Sequence, residues 1–193
     1  MRKRVRVTVN LQQNKLLLLY AFIMLVGIGM GMMAVWWVDE QQCEVAKTAL
    51  EQAVAGSVSI DCKQVFVSSA WDHVKPIIWI WLSGFFPFFM FVSGFVVWYK
   101  GVFFGFAAGM FLKFYGGRGM LLILSTLMPQ YLLFLPALIL FAYFCGQSFQ
   151  NRTIYKEGLI KYLLLFVIGL VVCWLCAWLD GYVVAKLLNL VQL

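Results

Sequence analysis

Charged residues are scarce in this 193-residue chain. Only 12% of its residues are charged, 64% are hydrophobic, and the mean hydropathy is +0.90. Soluble domains average about 25% charged and about 45–50% apolar residues. An aqueous core could not hide this much apolar surface, so lipid must be the solvent. The composition excludes a soluble globular protein and predicts a single integral membrane domain over residues 1–193.

The side chains that most hydrolytic enzymes use are scarcer still. The sequence has one histidine, His73, and eight acidic residues. No His/Glu pair, carboxylate cluster or Ser/His spacing lies within the apolar runs, so intramembrane proteolysis and metal-dependent hydrolysis lack their parts. No glycine-rich phosphate loop is present, which excludes an ATPase subunit acting by itself. We therefore predict no enzymatic activity, no catalytic residue, no cofactor and no metal site.

Long apolar runs, in contrast, are abundant, and about 20 apolar residues suffice to cross a bilayer. The run 101–115 is the ambiguous one, because it reaches only about 22 Å against a hydrocarbon core of roughly 30 Å. If it crosses, the chain has five spans; if it dips and returns, it has four. Lys113 can snorkel toward the headgroups, which favours crossing. We predict an all-α polytopic bundle of about five transmembrane helices: Leu16–Val38, Pro76–Tyr99, Gly101–Tyr115, Met120–Phe149 and Tyr162–Leu188.

The basic residues set the expected orientation. Five of the fifteen lie within residues 1–15, before the first run, and such flanks hold that end in the cytoplasm. This topological role accounts for the net charge of +7 without nucleic acid as a partner. The polar segment 39–75 is then extracytoplasmic.

That polar segment contains a candidate amphipathic helix. Asp39 can cap it, and Gly56 can end it. Such a helix would lie on the membrane surface, on its own bundle or against a partner. Its apolar stripe comprises Val45, Ala46, Ala49, Leu50, Ala53 and Val54.

Three glycines, Gly101, Gly105 and Gly109, recur every four residues. A glycine face lets two helix backbones approach closely in lipid. Packing within the bundle and a partner or homo-oligomer interface both fit this pattern. Gly27 and Gly31 offer a weaker version in the first span.

Two prolines, Pro129 and Pro136, mark the fourth run as a proline-broken span. Each removes a backbone donor, and the freed carbonyls must find partners inside the protein. The Gln130 amide can serve, since it both donates and accepts. Asp180 is the carboxylate within the last run, and it either lies near the outer headgroups or accepts a hydrogen bond from Gln130 or Lys113.

The five cysteines fall into two groups. Cys43 and Cys62 lie in the extracytoplasmic segment, where a disulfide could form. Cys173 and Cys176 form a CxxC in an apolar run without other soft ligands, which is typical of small packing residues rather than of a zinc or redox site.

Several short motifs follow one another along nearly the whole chain: Trp98–Phe106, Met128-Pro129-Gln130, Leu135-Pro136-Ala137, Gly146 and Ala177–Tyr182. In their order and spacing they resemble the stage II sporulation protein M family. The wider superfamily carries Pro-His-Gly where this chain has Pro129, Gln130 and Tyr131, and a glutamate where it has Phe134. An ionisable, permease-like site is therefore not expected, which favours a scaffold. Asp180 stands where the family has glutamate.

The resemblance implies a non-enzymatic, multi-pass membrane protein of an endospore-forming bacterium, needed when the mother cell engulfs the forespore. In that family it associates with two cell-wall hydrolases, stage II sporulation proteins D and P, at the septum. Segment 39–75 and the Gly101, Gly105 and Gly109 face would be the contact surfaces. The alternative is a transporter or channel subunit that acts with a separate ATPase.

Overall fold

The structure is a computed structural model that describes residues 2–39, 41, 44, 45, 48, 62–86, 88–150 and 159–184. Over these residues the chain is almost entirely helical, with no strand. The predicted fold class, an all-α polytopic bundle, is confirmed.

Five long helices form the described bundle, and two of them contain a π-helical stretch. The first three are α1 (Arg2–Ala34, followed by the 3-10 turn Val35–Trp37), α2 (Cys62–Ser83) and α3 (Phe89–Tyr115). Helix α4 covers residues 117–150 as Gly117–Leu122, the π-helical Ile123–Leu127 and Met128–Gln150. Helix α5 covers residues 159–184 as Leu159–Trp178 and the π-helical Leu179–Val184.

Four of the five helices are long and apolar enough to cross a membrane, namely α1, α3, α4 and α5. Helix α2 falls short because Asp72, His73 and Lys75 interrupt its apolar sequence. It nevertheless packs antiparallel to α5 along its length. The Phe66 and Trp174 rings lie 6.2 Å apart, and the Trp81 ring stacks on Tyr162 at 5.7 Å.

The predicted second span, Pro76–Tyr99, is wrong. Helix α2 begins at Cys62 and ends at Ser83, and a turn at residues 84–86 separates it from α3. Gly84 and Pro87 are helix breakers in the sequence, which a count of apolar residues does not register. The run 101–115 is accordingly the second half of a 27-residue helix rather than a separate short piece.

Helices α1 and α3 pack through facing glycines. A Cβ atom added to Gly27 would stand 2.6 Å from the Trp98 carbonyl oxygen, and one added to Gly101 would stand 2.7 Å from the Met24 carbonyl oxygen. Gly31 and Gly105 approach the opposite backbone more closely still. The two backbones can touch only because these residues have no side chain.

The core lies where α1, α2, α4 and α5 converge on α3. Its largest fully buried side chains include Tyr20, Ile80, Phe134 and Tyr162. Their polar atoms are paired, as burial in an apolar setting requires. Tyr20 Oη lies 2.7 Å from Ser93 Oγ, and Tyr162 Oη donates to the Trp81 carbonyl at 2.6 Å.

The extracytoplasmic predictions lie largely outside the described residues. Of the amphipathic helix, Gln41, Glu44, Val45 and Thr48 are described, and they are helical and exposed. The rest of its stripe lies outside the described residues, as does the predicted pairing of the Cys43 and Cys62 side chains.

Candidate functional site

Asp180 is a carboxylate buried inside an apolar bundle. It lies in the π-helical end of α5 and is 8% exposed. A charge placed mid-bilayer costs about 2.5–3.5 kcal/mol on insertion scales unless partners compensate it. This burial agrees with the second of the two alternatives from the sequence, a hydrogen bond inside the bundle.

Three side chains from two other helices surround the Asp180 carboxylate. The Ser69 hydroxyl of α2 donates to Oδ2, and His73 Nε2, one turn further on, lies 3.2 Å from the same oxygen. The Gln130 carboxamide of α4 lies against both carboxylate oxygens and donates to them with its nitrogen facing Asp180. This set, Ser69, His73, Gln130 and Asp180, is called the Asp180 cluster below.

The π-helical stretch of α4 places Gln130 in this cluster. Pro129 cannot donate a backbone hydrogen bond, and the turn before it is wound as the π-helical Ile123–Leu127. The hydroxyls of Ser125 and Thr126 donate to the Leu122 carbonyl at 3.1 and 2.6 Å. The hydroxyls bond the Leu122 carbonyl, whereas the carbonyl that Pro129 leaves without an i+4 partner is that of Ser125. The Gln130 amide nitrogen is bonded to Asp180, and the use of Gln130 for the freed carbonyls stays a prediction.

Both irregular stretches therefore supply the cluster. Asp180 comes from the π-helical end of α5, Gln130 directly follows the π-helical part of α4, and the two stretches are in contact. π-helical segments are rare and are frequently found at functional sites, because the extra residue redirects the side chains that follow it.

Lys100 of α3 lies beside this cluster and binds the backbone of α2. Its Nζ donates to the Asp72 carbonyl at 2.8 Å. That carbonyl lacks its intrahelical partner, since the residue four positions later is Pro76 and has no N–H. The ammonium also lies 5.8 Å from the centre of the Phe134 ring. Lys100 therefore repairs the backbone defect that Pro76 creates in α2.

A cavity of about 450 Å³ joins these groups. Its volume falls within the range of about 300–1,000 Å³ that is usual for ligand sites. His73 Nδ1, on its wall, has no hydrogen-bond partner among the described residues. The lining consists of Ser68, Ser69, Asp72, His73, Lys75, Tyr99, Lys100, Phe103, Gln130, Tyr131 and Asp180.

Lys100, on the cavity wall, lies near the middle of α3. Lys100 is about 16 Å from the beginning of α3 and about 22 Å from its end, at 1.5 Å of rise per residue. Gly27, in the middle of the α1 span Lys15–Trp37, lies against Gly101 at the same level. A hydrocarbon core about 30 Å thick and centred on α3 places Lys100 far from both headgroup layers. Asp180, in contrast, lies two residues before the end of the α5 span Ile160–Tyr182.

Other residues predicted from the sequence lie elsewhere. Lys113 donates to the Val35 carbonyl at 3.1 Å, at the end of α1, and takes no part in the Asp180 cluster. Pro136 lies inside α4, which continues through it as a helix. Gly101, Gly105 and Gly109 face α1, so this surface is occupied within the chain and is not free to serve as the partner contact that was expected.

The sequence reasoning missed Ser69, His73 and Lys100. His73 belongs to segment 39–75, which the sequence predicts to be extracytoplasmic, yet it is buried in the bundle. The signal in the sequence is the spacing of Ser69 and His73, which are four residues apart and therefore share a helical face. Lys100 directly follows the predicted span Pro76–Tyr99, and its position in the middle of α3 follows only from the helix bounds.

The buried thiols act as packing groups. Cys173 Sγ donates to the His73 carbonyl at 3.2 Å, which ties α5 to α2 next to the cluster. Cys145, Cys173 and Cys176 are free and buried.

The fold and the cluster together define a multi-pass α-helical membrane protein with polar groups buried in its bundle. The family model of stage II sporulation protein M matches residues 20–184, and the chain belongs to this family. The match covers the Asp180 cluster and reaches all five described helices. It makes the chain a sporulation-related membrane protein. Among curated proteins and among solved structures, none matches the chain.

Proposed function

We propose that this protein is a non-enzymatic membrane scaffold of the sporulation engulfment machinery. It holds the cell-wall hydrolases, stage II sporulation proteins D and P, at the septal membrane while the mother cell engulfs the forespore. The observation that carries the proposal is the family match over residues 20–184.

The Asp180 cluster supports a structural role. The carboxylate accepts from Ser69, His73 and Gln130, which belong to α2 and α4, so it ties three helices together. A carboxylate engaged by three donors has little capacity left for proton transfer to a substrate. Hydrogen bonds between helices make a bundle rigid, which is what a platform for other proteins needs.

The close α1–α3 contact supports the same conclusion. Glycine-mediated packing leaves no room for sliding, because backbone atoms are in contact on both sides. Because this contact occupies the glycine face of α3, the partner surfaces must be others. We assign them to the segment that follows α1 and to the lipid-facing side of α2.

The cavity beside Lys100 favours one second candidate, a transporter or channel subunit that works with a separate ATPase. Intramembrane ionisable groups often mark solute paths. Single cysteines at Gln130 and Tyr99, probed with a water-soluble thiol reagent, separate the two functions. If the protein is a scaffold, the reagent should not reach both cysteines from either side of the membrane. The protein reconstituted in liposomes should then transport no solute.

The test of the proposal is made in sporulating cells that lack the chain and carry fluorescent fusions of both hydrolases. We expect the hydrolases to disperse from the septum and engulfment to stop, and the wild-type chain to restore both. The Gly29→Ala variant is a matched control, because no atom lies within 4 Å of a Cβ at this position. Normal septal hydrolases in cells without the chain would refute the proposal.

A further inference from the structure

The charged residues within the apolar helices converge on one place, the cavity of about 450 Å³ beside the Asp180 cluster, called the polar cavity below. Every residue on its wall except Phe103 has a polar or charged side chain. Ionisable residues within membrane helices are rare and usually mark a functional site. In α2 to α5, four charged residues lie more than three positions from an end of the described helix, and all four line this cavity: Asp72, Lys75, Lys100 and Asp180.

Three groups on this wall keep hydrogen-bonding capacity that the described residues do not use. An ammonium has three N–H donors, and the one hydrogen bond of Lys100 goes to the Asp72 carbonyl. Lys75 bonds only Oδ1 of the Asp72 carboxylate, which leaves Oδ2 without a described donor. His73 Nδ1 also has no partner among the described residues. Because polar groups in an apolar setting are nearly always bonded, the cavity must have polar contents.

The charges on the wall of the polar cavity balance. The carboxylates of Asp72 and Asp180 are matched in number by the ammonium groups of Lys75 and Lys100. A ligand with a net charge would disturb this balance in an apolar setting, which is costly. Lys100 Nζ lies 2.8 Å from the carbonyl oxygen of Asp72, so a cationic donor and an anionic acceptor are neighbours on the wall. This arrangement suits a ligand that carries one charge of each sign.

We propose that the polar cavity binds a free amino acid, whose carboxylate accepts from Lys100 and whose ammonium donates to Asp72. An amino acid is a small zwitterion, so it meets an opposite charge at both ends and leaves the net charge of the cavity at zero. The site goes beyond the proposed scaffold function and does not depend on it, since binding a ligand does not require its passage across the membrane.

Charge and depth favour this ligand over two others. The headgroup of an ethanolamine phospholipid carries the same two charges, but Lys100 lies far from both headgroup layers of a core about 30 Å thick that is centred on α3. Water keeps the cavity neutral as well. Its hydrogen bonds gain charge assistance from one partner only, whereas both partners are charged when a zwitterion binds Lys100 and Asp72.

Equilibrium dialysis of the purified full chain in detergent tests the proposal. The probes are the radiolabelled proteinogenic amino acids, each taken singly. An amino acid that binds is compared with its N-acetyl derivative, which lacks the cation, and with its amide, which lacks the anion. We expect saturable binding of at least one free amino acid and at least about tenfold weaker binding of both derivatives, because each derivative leaves one charged group of the wall without its partner.

Two variants assign each end of the ligand to its residue. Asp72→Asn should weaken binding of the free amino acid at least about tenfold and should no longer distinguish it from the N-acetyl derivative. Lys100→Met should weaken binding similarly and should no longer distinguish the amino acid from its amide. A merely structural role predicts neither loss of discrimination. The control Lys113→Met should keep wild-type affinity, because Lys113 bonds the Val35 carbonyl outside the cavity. The Asp72 side chain is 68% exposed, so its variant serves the test even where Lys100→Met does not fold.

Four results would overturn the proposal. They are no saturable binding of any amino acid, which would leave water as the content of the cavity, derivatives that bind as tightly as the free amino acid, wild-type affinity in the folded Asp72→Asn protein, and tighter binding of glycerophosphoethanolamine, which would assign the cavity to a lipid headgroup. Each leaves the proposed function standing if the hydrolases still depend on the chain for septal localisation. Failure of that localisation test, in contrast, removes the scaffold function and not the amino-acid site.

Discussion

The Asp180 carboxylate of α5 accepts hydrogen bonds from α2 and α4 and so links three helices of the bundle. Burial makes its charge costly, and the three donors from Ser69, His73 and Gln130 offset that cost. The donors come from segments that are 50 or more residues away in sequence, so their convergence depends on the fold. The sequence identified Gln130 as one alternative partner because it is the polar residue beside Pro129. It could not identify His73, because segment 39–75 was interpreted as lying wholly outside the membrane.

Replacing Asp180 by asparagine tests whether the hydrogen bonds of its carboxylate stabilise the bundle. The amide has one acceptor oxygen in place of two and adds an N–H group that faces the donors. We expect Asp180→Asn to lower the free energy of unfolding by about 1–3 kcal/mol, as is usual for unsatisfied buried groups. Thermal unfolding of the purified protein in detergent measures this.

The same substitution at Asp72 is the matched control. Asp72 makes one side-chain contact, with Lys75 at 3.3 Å on an exposed face of α2, whereas three donors engage the buried Asp180. We expect Asp72→Asn to lower the unfolding temperature less than Asp180→Asn does. Equal losses for the two variants would contradict the role assigned to Asp180.

At the scale of helices, composition and periodicity predicted the helical class and the close-packing glycines, but not the helix ends. Apolar content is continuous across residues 76–99, and only Gly84 and Pro87 mark the turn that divides it. The π-helical stretches are also invisible in composition, since they arise where Pro129 and the packing of Asp180 alter the backbone. The glycine pattern on α3 fitted either packing within the bundle or an interface with another chain. In the structure, α1 of the same chain packs against these glycines.

Two glycines of α1 provide a matched test of helix packing. Gly31 faces α3, where a Cβ would meet the Val102 backbone, and Gly29 faces open space. We expect Gly31→Ala to destabilise the protein by about 1–3 kcal/mol, because the α3 backbone cannot move away cheaply. Gly29→Ala should be neutral or stabilising by up to about 1 kcal/mol, through helix propensity. Equal unfolding temperatures for the two variants would contradict the packing.

Lys100 and Pro76 should be energetically coupled. In the wild-type protein, Lys100→Met leaves the Asp72 carbonyl unsatisfied, at a cost of about 1–3 kcal/mol. In a Pro76→Ala background the alanine N–H can bond that carbonyl within α2, so the same substitution should cost less. A double-mutant cycle on unfolding free energies measures the difference, and strict additivity would show that Lys100 does not satisfy this carbonyl.

At the scale of the molecule, five helices packed side by side imply that the two connecting turns lie on opposite faces of the membrane. Gly116, whose positive φ suits the tight turn between α3 and α4, marks one end, and Phe86 marks the other. The sequence predicts a cytoplasmic N-terminus and five spans, α2 included, and this topology predicts that Phe86→Cys reacts only from inside and Arg118→Cys only from outside. Impermeant thiol labelling of cells and of inverted vesicles, with Cys43 and Cys62 replaced by alanine, checks this. The reverse pattern, with Phe86→Cys reacting from outside and Arg118→Cys from inside, would contradict five spans and show that α2 does not cross.

The account as a whole holds that the chain works by binding neighbouring proteins in the membrane. Affinity capture of the full chain from sporulating cells, with the Gly29→Ala protein as a folded control, tests this claim most directly. We predict that stage II sporulation proteins D and P are recovered with both baits. Recovery of neither hydrolase with a folded, membrane-inserted chain would contradict it.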